Sequence, residues 1–342
     1  MAQTWAVLLS GEHPTLPAAE LRALLAVHAS EAQVSGDAVV AFVAGGTGVA
    51  AALGRMALAH AWGTLWGEEP DTPEGLERLA SLVRQRCDGK GSIAVVSERR
   101  GQGKSHNSLL VERTLGAAAG AAGHSIDLAR PDQSIFAWLE AGRIVVGRLE
   151  GTLERGDYEA RCNHERAHFS PIALHPRRAA GLLHLARVKP GGRLYDPFCG
   201  TGTFVLEGAL EGYETLGSDL DAWMVQGTLQ ALADDGPNPL DGTVFVADVA
   251  DTPGLVGQVD GIVTDFPYGR ASTGHGEELV ELYGRAFAAF AKLLPPGARA
   301  VIGHPDPELL DPIEKAGFTI VERHAERAHR SLTRHFAVCR RL

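Results

Sequence analysis

The sequence predicts small α+β units followed by an α/β domain, whose parallel sheet is covered by helices on both faces. From Arg177 onward, strand and helix patterns alternate, as crossover connections between parallel strands require. Before Glu150, short apolar runs and helical stretches follow the order of two smaller α+β units. Between these halves, residues 151–174 are rich in charged, Gly, His and Pro residues, which predicts a linker.

The first half is predicted to contain two units, residues 1–64 and 65–150. The elements expected in the first unit are strands at Trp5–Leu9 and Val39–Val43 and helices at Leu16–Ala29 and Gly48–Trp62. Those expected in the second are helices at Leu76–Arg86 and Leu109–Ala122, a strand at Ser92–Ser97, and a hairpin that turns at Ala141-Gly142.

Residues 175–342 are predicted to form the α/β domain. The expected strands are Arg193–Asp196, Thr215–Asp219, Val244–Asp248, Gly261–Asp265 and Ala298–Gly303. The expected helices are Arg177–Ala186, Phe204–Glu211, Trp223–Ala233 and Glu277–Leu294. In such folds ligands bind beyond the carboxyl ends of the strands.

The composition is that of a globular protein. Of 342 residues, 45% are hydrophobic and 22% charged, which excludes a mostly disordered chain. No apolar stretch reaches the roughly 18 residues of a membrane helix, and the start lacks the basic region of a secretory signal, so we expect residence in the cytoplasm. The four cysteines show no C-x-x-C spacing, which predicts reduced thiols and no cysteine-based metal site.

The net charge of -10 opposes a nucleic-acid partner at first sight, but cations cluster locally. The two clusters are Arg84, Arg86, Lys90, Arg99, Arg100 and Lys104, and Arg323, Arg327, Arg330, Arg334, Arg340 and Arg341. Each is either a solvated face or a surface for phosphates.

The stretch Asp196-Pro197-Phe198-Cys199-Gly200-Thr201-Gly202 is a strand end followed by a glycine turn and a helix. Gly200 and Gly202 allow the backbone to approach a ligand, although a tight strand-to-helix turn would explain them equally well. The pattern departs from the dinucleotide-binding G-x-G-x-x-G because Val205 occupies the third position and an acid precedes the glycines. A dehydrogenase is therefore disfavoured.

Two further strands end in acids, Asp219 and Asp248. Carboxylates at three successive strand ends line one crevice, and they suit a neutral or cationic nucleoside better than phosphates. S-adenosylmethionine, with its sulfonium and ammonium groups, has that charge.

The fourth strand runs into Thr264-Asp265-Phe266-Pro267-Tyr268-Gly269-Arg270. The exocyclic amino group of a nucleobase is a poor nucleophile because its lone pair is delocalised. The Asp265 carboxylate and the Phe266 carbonyl could accept its two N–H groups and favour attack, while Pro267 stiffens the loop and Tyr268 stacks on the base. A base must be flipped out of a helix to reach such a site. A plain turn closing the strand would also account for these residues.

Residues 175–342 resemble the class I, S-adenosylmethionine-dependent amino-methyltransferases of the D-P-P-Y type, and more narrowly the archaeal and eukaryotic tRNA guanosine-10 N2-methyltransferases. The resemblance rests on His175-Pro176, the D-P-F-C-G-T-G of 196–202, the T-D-F-P-Y-G-R of 264–270 and the H-R-S-L-T-R of 329–334. It implies a Rossmann-like domain with a seven-stranded, mostly parallel sheet. It also implies cofactor binding by His175, Asp196, Phe198, Gly200, Thr201, Gly202, Thr203, Asp219, Leu220, Asp248, Val249 and Asp265.

The first half is similar to the THUMP module of RNA-modifying enzymes through Glu98-Arg99-Arg100-Gly101-Gln102-Gly103-Lys104. That likeness assigns residues 65–150 to a THUMP domain holding the acceptor end of tRNA, with Arg99, Arg100, Lys104 and Arg330 as RNA-binding residues. It predicts a monomer acting on tRNA away from any membrane. The need for a small activating partner subunit, found in some relatives, and the choice between mono- and dimethylguanosine stay open.

The chain departs from the D-P-P-Y pattern at Phe266, which replaces the first proline and predicts a less constrained loop. A zinc enzyme is a competing interpretation, because His164-Glu165-Arg166-Ala167-His168 matches the H-E-x-x-H signature. Pro171 and Pro176 follow it, however, and no helical period surrounds it. A non-catalytic tRNA-binding protein and a methyltransferase acting on ribosomal RNA guanine or DNA adenine also fit the sequence, although the THUMP-like half disfavours DNA.

Overall fold

The computed structural model describes residues 3–36, 39–100, 106–162, 168, 173–237, 243–267, 279–310, 312–329 and 332–342. Contacts divide the chain into two compact units. The first comprises Met1–Ala18 and His28–Leu153, and the second Ala19–Val27 and Glu154–Leu342. No helix among these residues is both long and apolar enough to cross a membrane.

The first unit is built on one eight-stranded sheet, in the order β2-β3-β1-β4-β8-β7-β5-β6. Its strands are β1 (Gln3–Leu9), β2 (Gln33–Gly36), β3 (Val40–Gly45), β4 (Ala59–Pro70), β5 (Ser92–Arg99), β6 (Ser125–Ile126), β7 (Gln133–Glu140) and β8 (Arg143–Thr152). Its helices are α2 (Val49–Leu53), α3 (Pro73–Arg86) and α4 (Ser108–Ala121), while α1 (Leu16–His28) contributes its middle to the second unit.

Three features of this sheet bear on the predictions. The β7–β8 hairpin is confirmed, and Ala141 and Gly142 both have positive φ, as a two-residue hairpin turn requires. The predicted helix over 48–62 is wrong, because α2 ends at Leu53 and β4 pairs with both β1 and β8. The predicted boundary at 64/65 falls inside β4, and the division into 1–64 and 65–150 stays a prediction.

The second unit is confirmed as a Rossmann-like, seven-stranded sheet in the order β11-β10-β9-β12-β13-β15-β14. Its strands are β9 (Arg193–Asp196), β10 (Glu214–Asp219), β11 (Val244–Val246), β12 (Gly261–Asp265), β13 (Arg299–His304), β14 (Phe318–His329) and β15 (Leu332–Arg341). Strands β9 to β13 are parallel, and β15 pairs antiparallel with β13 and β14.

Helices surround this sheet. They are α5 (Gly156–Ala160), α6 (Pro176–Leu185), α7 (Thr203–Leu210), α8 (Ala222–Asp235), α9 (Thr252–Val256), α10 (Leu279–Leu293) and α11 (Pro312–Lys315), with a 3-10 turn at Pro307–Leu310. A large apolar core lies between the sheet and α10, where Phe287 and Phe290 are fully buried. Parallel pairing of β9 to β12 brings their carboxyl ends to one edge of the sheet, which is where the sequence places its acids.

Candidate active site

A cavity of about 380 Å³ lies at the carboxyl edge of the second sheet. The carboxylates predicted at the four strand ends, Asp196, Asp219, Asp248 and Asp265, all line it. Its volume lies within the range of small-molecule sites, roughly 300–1,000 Å³. The other predicted cofactor residues that line it are Phe198, Gly200, Thr201, Thr203, Leu220 and Val249.

Asp196 ends β9 and is almost completely buried. Its Oδ1 accepts hydrogen bonds from the Thr264 hydroxyl at 2.6 Å and from the Phe198 N–H at 3.2 Å. Burial, reinforced by the nearby negative charges of Asp219 and Asp265, raises the pKa of Asp196 to about 7 in spite of these bonds. A positively charged ligand in the cavity would favour its ionised form.

The glycine turn is tied to the end of β10. Asp219 accepts the N–H of Gly200 through Oδ2 at 2.9 Å and the N–H of Asp221 through Oδ1 at 3.0 Å. Burial raises the pKa of Asp219. Gly200 and Gly202 have φ of 51° and 85°, and a Cβ on Gly202 would lie 2.6 Å from Thr228 Cγ2, so the turn requires glycine there.

Asp248 follows β11 and carries an ion pair that sequence reasoning missed. Arg285 of α10 donates through Nη1 to Asp248 Oδ1 at 2.6 Å, and both residues line the cavity. The N–H of Ala250 donates to the same oxygen at 2.8 Å. These two contacts fix the direction of the Asp248 carboxylate at the cavity wall.

The end of β12 presents the predicted catalytic residues. Asp265 is half-buried and lines the cavity together with Phe266 and Pro267, whereas Tyr268 lies outside the described residues. Phe266 is fully buried and stacks on Tyr283 with ring centroids 4.0 Å apart. Its N–H donates to the Gly303 carbonyl at 2.9 Å, a bond that proline could not make.

Phe266 therefore holds the loop by a different means from the proline of D-P-P-Y. Phe198, Phe287 and Phe290 also surround its ring, at centroid distances of 4.8, 6.0 and 6.1 Å. The expectation of a less constrained backbone at this residue overlooked both the packing and the hydrogen bond.

Two predicted cofactor residues, His175 and Gly202, are not among the residues that line the cavity. Gly202 is the N-cap residue of α7, and its left-handed backbone conformation connects the turn to the helix. His175 caps α6, its Nδ1 accepting the N–H of Arg177 at 3.2 Å, while its Nε2 lies 3.3 Å from a Glu159 oxygen. The capping bond uses the Nδ1 lone pair, so that His175 turns toward α6 and Glu159.

Glu159, Cys162 and His175 place potential metal ligands within 4.8 Å of one another. Because Nδ1 of His175 accepts a hydrogen bond, the neutral ring carries its proton on Nε2, the nitrogen that faces Glu159. A proton there blocks coordination and instead favours a hydrogen bond to the carboxylate. Of the H-E-x-x-H stretch, only His168 is described, and its ring packs against Trp223 at a centroid distance of 4.9 Å.

The predicted RNA-binding arginines of the first unit are engaged within it. Arg99 lies 3.9 Å from Asp71 and donates to the His106 carbonyl, and Arg100 pairs with Glu98. His106 Nδ1 in turn contacts Asp71 Oδ1 at 2.6 Å. Lys104 and Arg330 lie outside the described residues.

Sequence reasoning also missed Thr264, the hydroxyl donor to Asp196. A signal was available: Thr264 lies in the run of apolar residues Ile262, Val263 and Phe266, and a buried hydroxyl in such a run requires a hydrogen-bond partner. Arg285 offered no comparable signal, because it lies one turn after Glu281 on the less buried face of α10, where a charged residue is ordinary.

The chain is similar to known methyltransferases in sequence and in structure. The family of RMKL-like methyltransferase domains matches residues 163–335. A tRNA (guanine(10)-N2)-dimethyltransferase of Methanothermobacter thermautotrophicus is 31% identical over 351 residues, covering 98% of this chain and 99% of its own. A tRNA (guanine(6)-N2)-methyltransferase of Thermus thermophilus is 31% identical over 261 residues, covering 73% and 72%. The crystal structure of TrmN from Thermus thermophilus superimposes with a TM-score of 0.57 at 25% identity, covering 99% and 100%.

Proposed function

This chain belongs to the tRNA guanine-N2 methyltransferase family, and on that premise we propose that it methylates the exocyclic N2 of guanosine 10 in tRNA. The observation that carries the chemistry is the cavity into which four neighbouring strands deliver carboxylates. The position is supported by the relative that matches nearly the whole chain and is named for guanine 10.

The residues of the cavity fit S-adenosylmethionine. Of the described residues that line it, five are aspartates and one, Arg285, is a cation, which favours a ligand with positive charge. Asp196, Asp219, Asp248 and the turn at Gly200 would hold the cofactor. When bound, S-adenosylmethionine supplies an electrophilic methyl group on its sulfonium.

The end of β12 would bind the guanine amino group. The Asp265 carboxylate and the Phe266 carbonyl accept its two N–H groups, which draws the nitrogen toward the tetrahedral form that has a localised lone pair. Holding that nitrogen in line with the methyl group supplies a large part of the acceleration, because the two reacting atoms must approach to roughly 3–3.5 Å. The base has to leave its helical stack to enter the cavity.

The first unit supports a tRNA substrate in this proposal. Residues 65–150 act as the THUMP domain and residues 1–64 as its α+β companion, and the RNA-binding residues are Arg99, Arg100, Lys104 and Arg330. Position 6 is the second candidate target, because the Thermus relative of similar identity is named for it.

The test is methyl transfer from labelled S-adenosylmethionine to unmodified tRNA transcripts that carry guanosine at positions 6 and 10, or adenosine at one of them. We expect N2-methylated guanosine, mapped by mass spectrometry to position 10. Substitution Asp265→Ala should lower kcat by at least about 100-fold, as loss of a transition-state acceptor does, and leave tRNA affinity unchanged.

A matched control is Asp260→Ala. Asp260 precedes β12 at its opposite end, where its Oδ2 accepts the N–H of Arg193 at 2.8 Å. This variant should keep the wild-type kcat. Wild-type kcat in Asp265→Ala, or methylation of any atom other than guanine N2, would overturn the proposal, and loss of transfer only from the transcript lacking guanosine 6 would move the target to position 6.

A further inference from the structure

The end of β12 is aligned against β13 by one glycine. The parallel register pairs Asp265 with Gly303, and the next residue, Phe266, donates its N–H to the Gly303 carbonyl at 2.9 Å. Both groups assigned above to the guanine amino group, the Asp265 carboxylate and the Phe266 carbonyl, therefore belong to residues that contact Gly303.

The Asp265 side chain occupies the space that a side chain at position 303 would need. An ideal Cβ on Gly303 would lie 2.1 Å from Asp265 Oδ1 and 2.9 Å from Asp265 Cγ. The third nearest atom, at 3.3 Å, is the Asp265 Cα. The three atoms nearest to the missing Cβ of Gly303 thus all belong to Asp265.

Backbone conformation gives no reason for a glycine here. Gly303 is absent from the glycines with positive φ among the described residues, and it lies inside β13 with ladder partners on both sides, Asp265 and Phe336. A glycine inside a strand weakens it, because it loses more conformational entropy on folding and packs no side chain. The structural reason for a glycine at position 303 is therefore the space that the Asp265 side chain occupies.

We propose that Gly303 is a positioning residue for methyl transfer: its missing side chain lets the Asp265 carboxylate lie across the end of β13, while its carbonyl holds Phe266. The inference rests on the proposed role of Asp265 and deepens it. Any side chain at position 303 turns the carboxylate away, because rotating Asp265 relieves the overlap more easily than moving two paired strands.

The first experiment compares Gly303→Ala with a matched variant, Gly261→Ala. Gly261 begins the same strand β12, and a Cβ there would meet Val188 Cγ2 at 2.7 Å and Leu194 Cδ2 at 3.0 Å, far along the strand from the carboxylate. Gly303→Ala should lower kcat at least about 100-fold. Its affinity for S-adenosylmethionine, measured by calorimetry, should change no more than Asp265→Ala changes it. Gly261→Ala should keep kcat within about threefold, as overpacking remote from the reacting atoms affects stability alone.

The second experiment is a double-mutant cycle on thermal stability, which needs no activity. Gly303→Ala alone should lower Tm by roughly 3–10 °C, the range that overpacking produces in a domain of this size. In the Asp265→Ala background the same substitution should cost much less, because the overlapping carboxylate is gone and only the 3.3 Å approach to the Cα of residue 265 is left. Asp265→Ala should not relieve Gly261→Ala.

Each outcome decides the inference. Wild-type kcat in Gly303→Ala, or an equal loss of Tm with and without the Asp265 side chain, refutes the positioning role. If Gly303→Ala fails to fold, recovery of folding in the double variant supports the inference and failure of both contradicts it. Full activity of Asp265→Ala would instead refute the proposed function. The double-mutant cycle on Tm would still show whether a side chain at position 303 clashes with the Asp265 carboxylate.

Discussion

Restoring the family's proline at position 266 should destabilise this protein. The Phe266 ring is fully buried and stacked on Tyr283, so replacing it opens space in the core beside α10. Truncating a buried phenylalanine to alanine costs about 3–5 kcal/mol, and proline refills only part of that volume. Phe266→Pro also deletes the N–H that donates to Gly303, which adds about 1 kcal/mol.

The expected loss for Phe266→Pro is about 4 kcal/mol in the free energy of unfolding, reduced by at most about 1 kcal/mol because proline restricts the unfolded chain. Urea denaturation followed by circular dichroism measures it. Phe266→Ala is the control that keeps the N–H, and Phe266→Leu keeps most of the volume and should cost less than about 1.5 kcal/mol. A Phe266→Pro variant as stable as the wild type would refute the view that packing has replaced the proline ring.

Two further predictions concern titrating groups. His184 is completely buried beside Glu20 Oε1 at 2.8 Å and near Glu211; burial alone would lower its pKa, but the two glutamates raise it to about 9. Because the pKa of His184 in the folded protein exceeds the unfolded value of about 6.5, the protonated His184 stabilises the fold fully below pH 6.5. This stabilisation, about 3 kcal/mol, is lost as the pH rises through 9. In His184→Gln, the free energy of unfolding measured in urea should therefore change less between pH 6.5 and 9 than in the wild type. Thr264→Val removes the hydroxyl that lowers the pKa of Asp196, so this pKa should rise above about 7 and the affinity for S-adenosylmethionine measured by calorimetry at pH 7 should fall, recovering at higher pH. An affinity unchanged between pH 6 and 9 in both proteins would contradict this.

Local patterns predict most elements of both units, and they fail where strands pair across long stretches of chain: residues 48–62 of the first unit and the β14–β15 pair of the second. Strands β9 and β12 have the predicted bounds, because each is a short apolar run ended by an acid. The stretch 48–62 is rich in alanine and favours a helix locally, yet β4 begins at Ala59 because it pairs along its length with β1 and β8. Pairing between strands distant in sequence overrides propensity, and no local pattern reveals it.

The candidate site divides in the same way. The acids at strand ends are visible in the sequence because each follows its own strand. Thr264, Arg285 and Gly303 act through contacts across 68, 37 and 38 residues of chain, and those contacts exist only once the strand order and register are known. A glycine that makes room for another residue's carboxylate leaves no local signature, since glycines in strands also mark bulges and bends.

The charges that line the cavity favour a cationic cofactor, independently of the nucleobase that is methylated. A buried carboxylate is costly unless it is paired, and burial raises the pKa of both Asp196 and Asp219. Arg285, the one cation among the described residues of the cavity wall, is committed to Asp248. A ligand bearing positive charge relieves this repulsion, whereas the phosphates of a dinucleotide would add to it. In a dinucleotide-binding fold the turn after the first strand binds phosphates. Here the same turn is surrounded by aspartates, and the cavity is therefore suited to a cationic nucleoside.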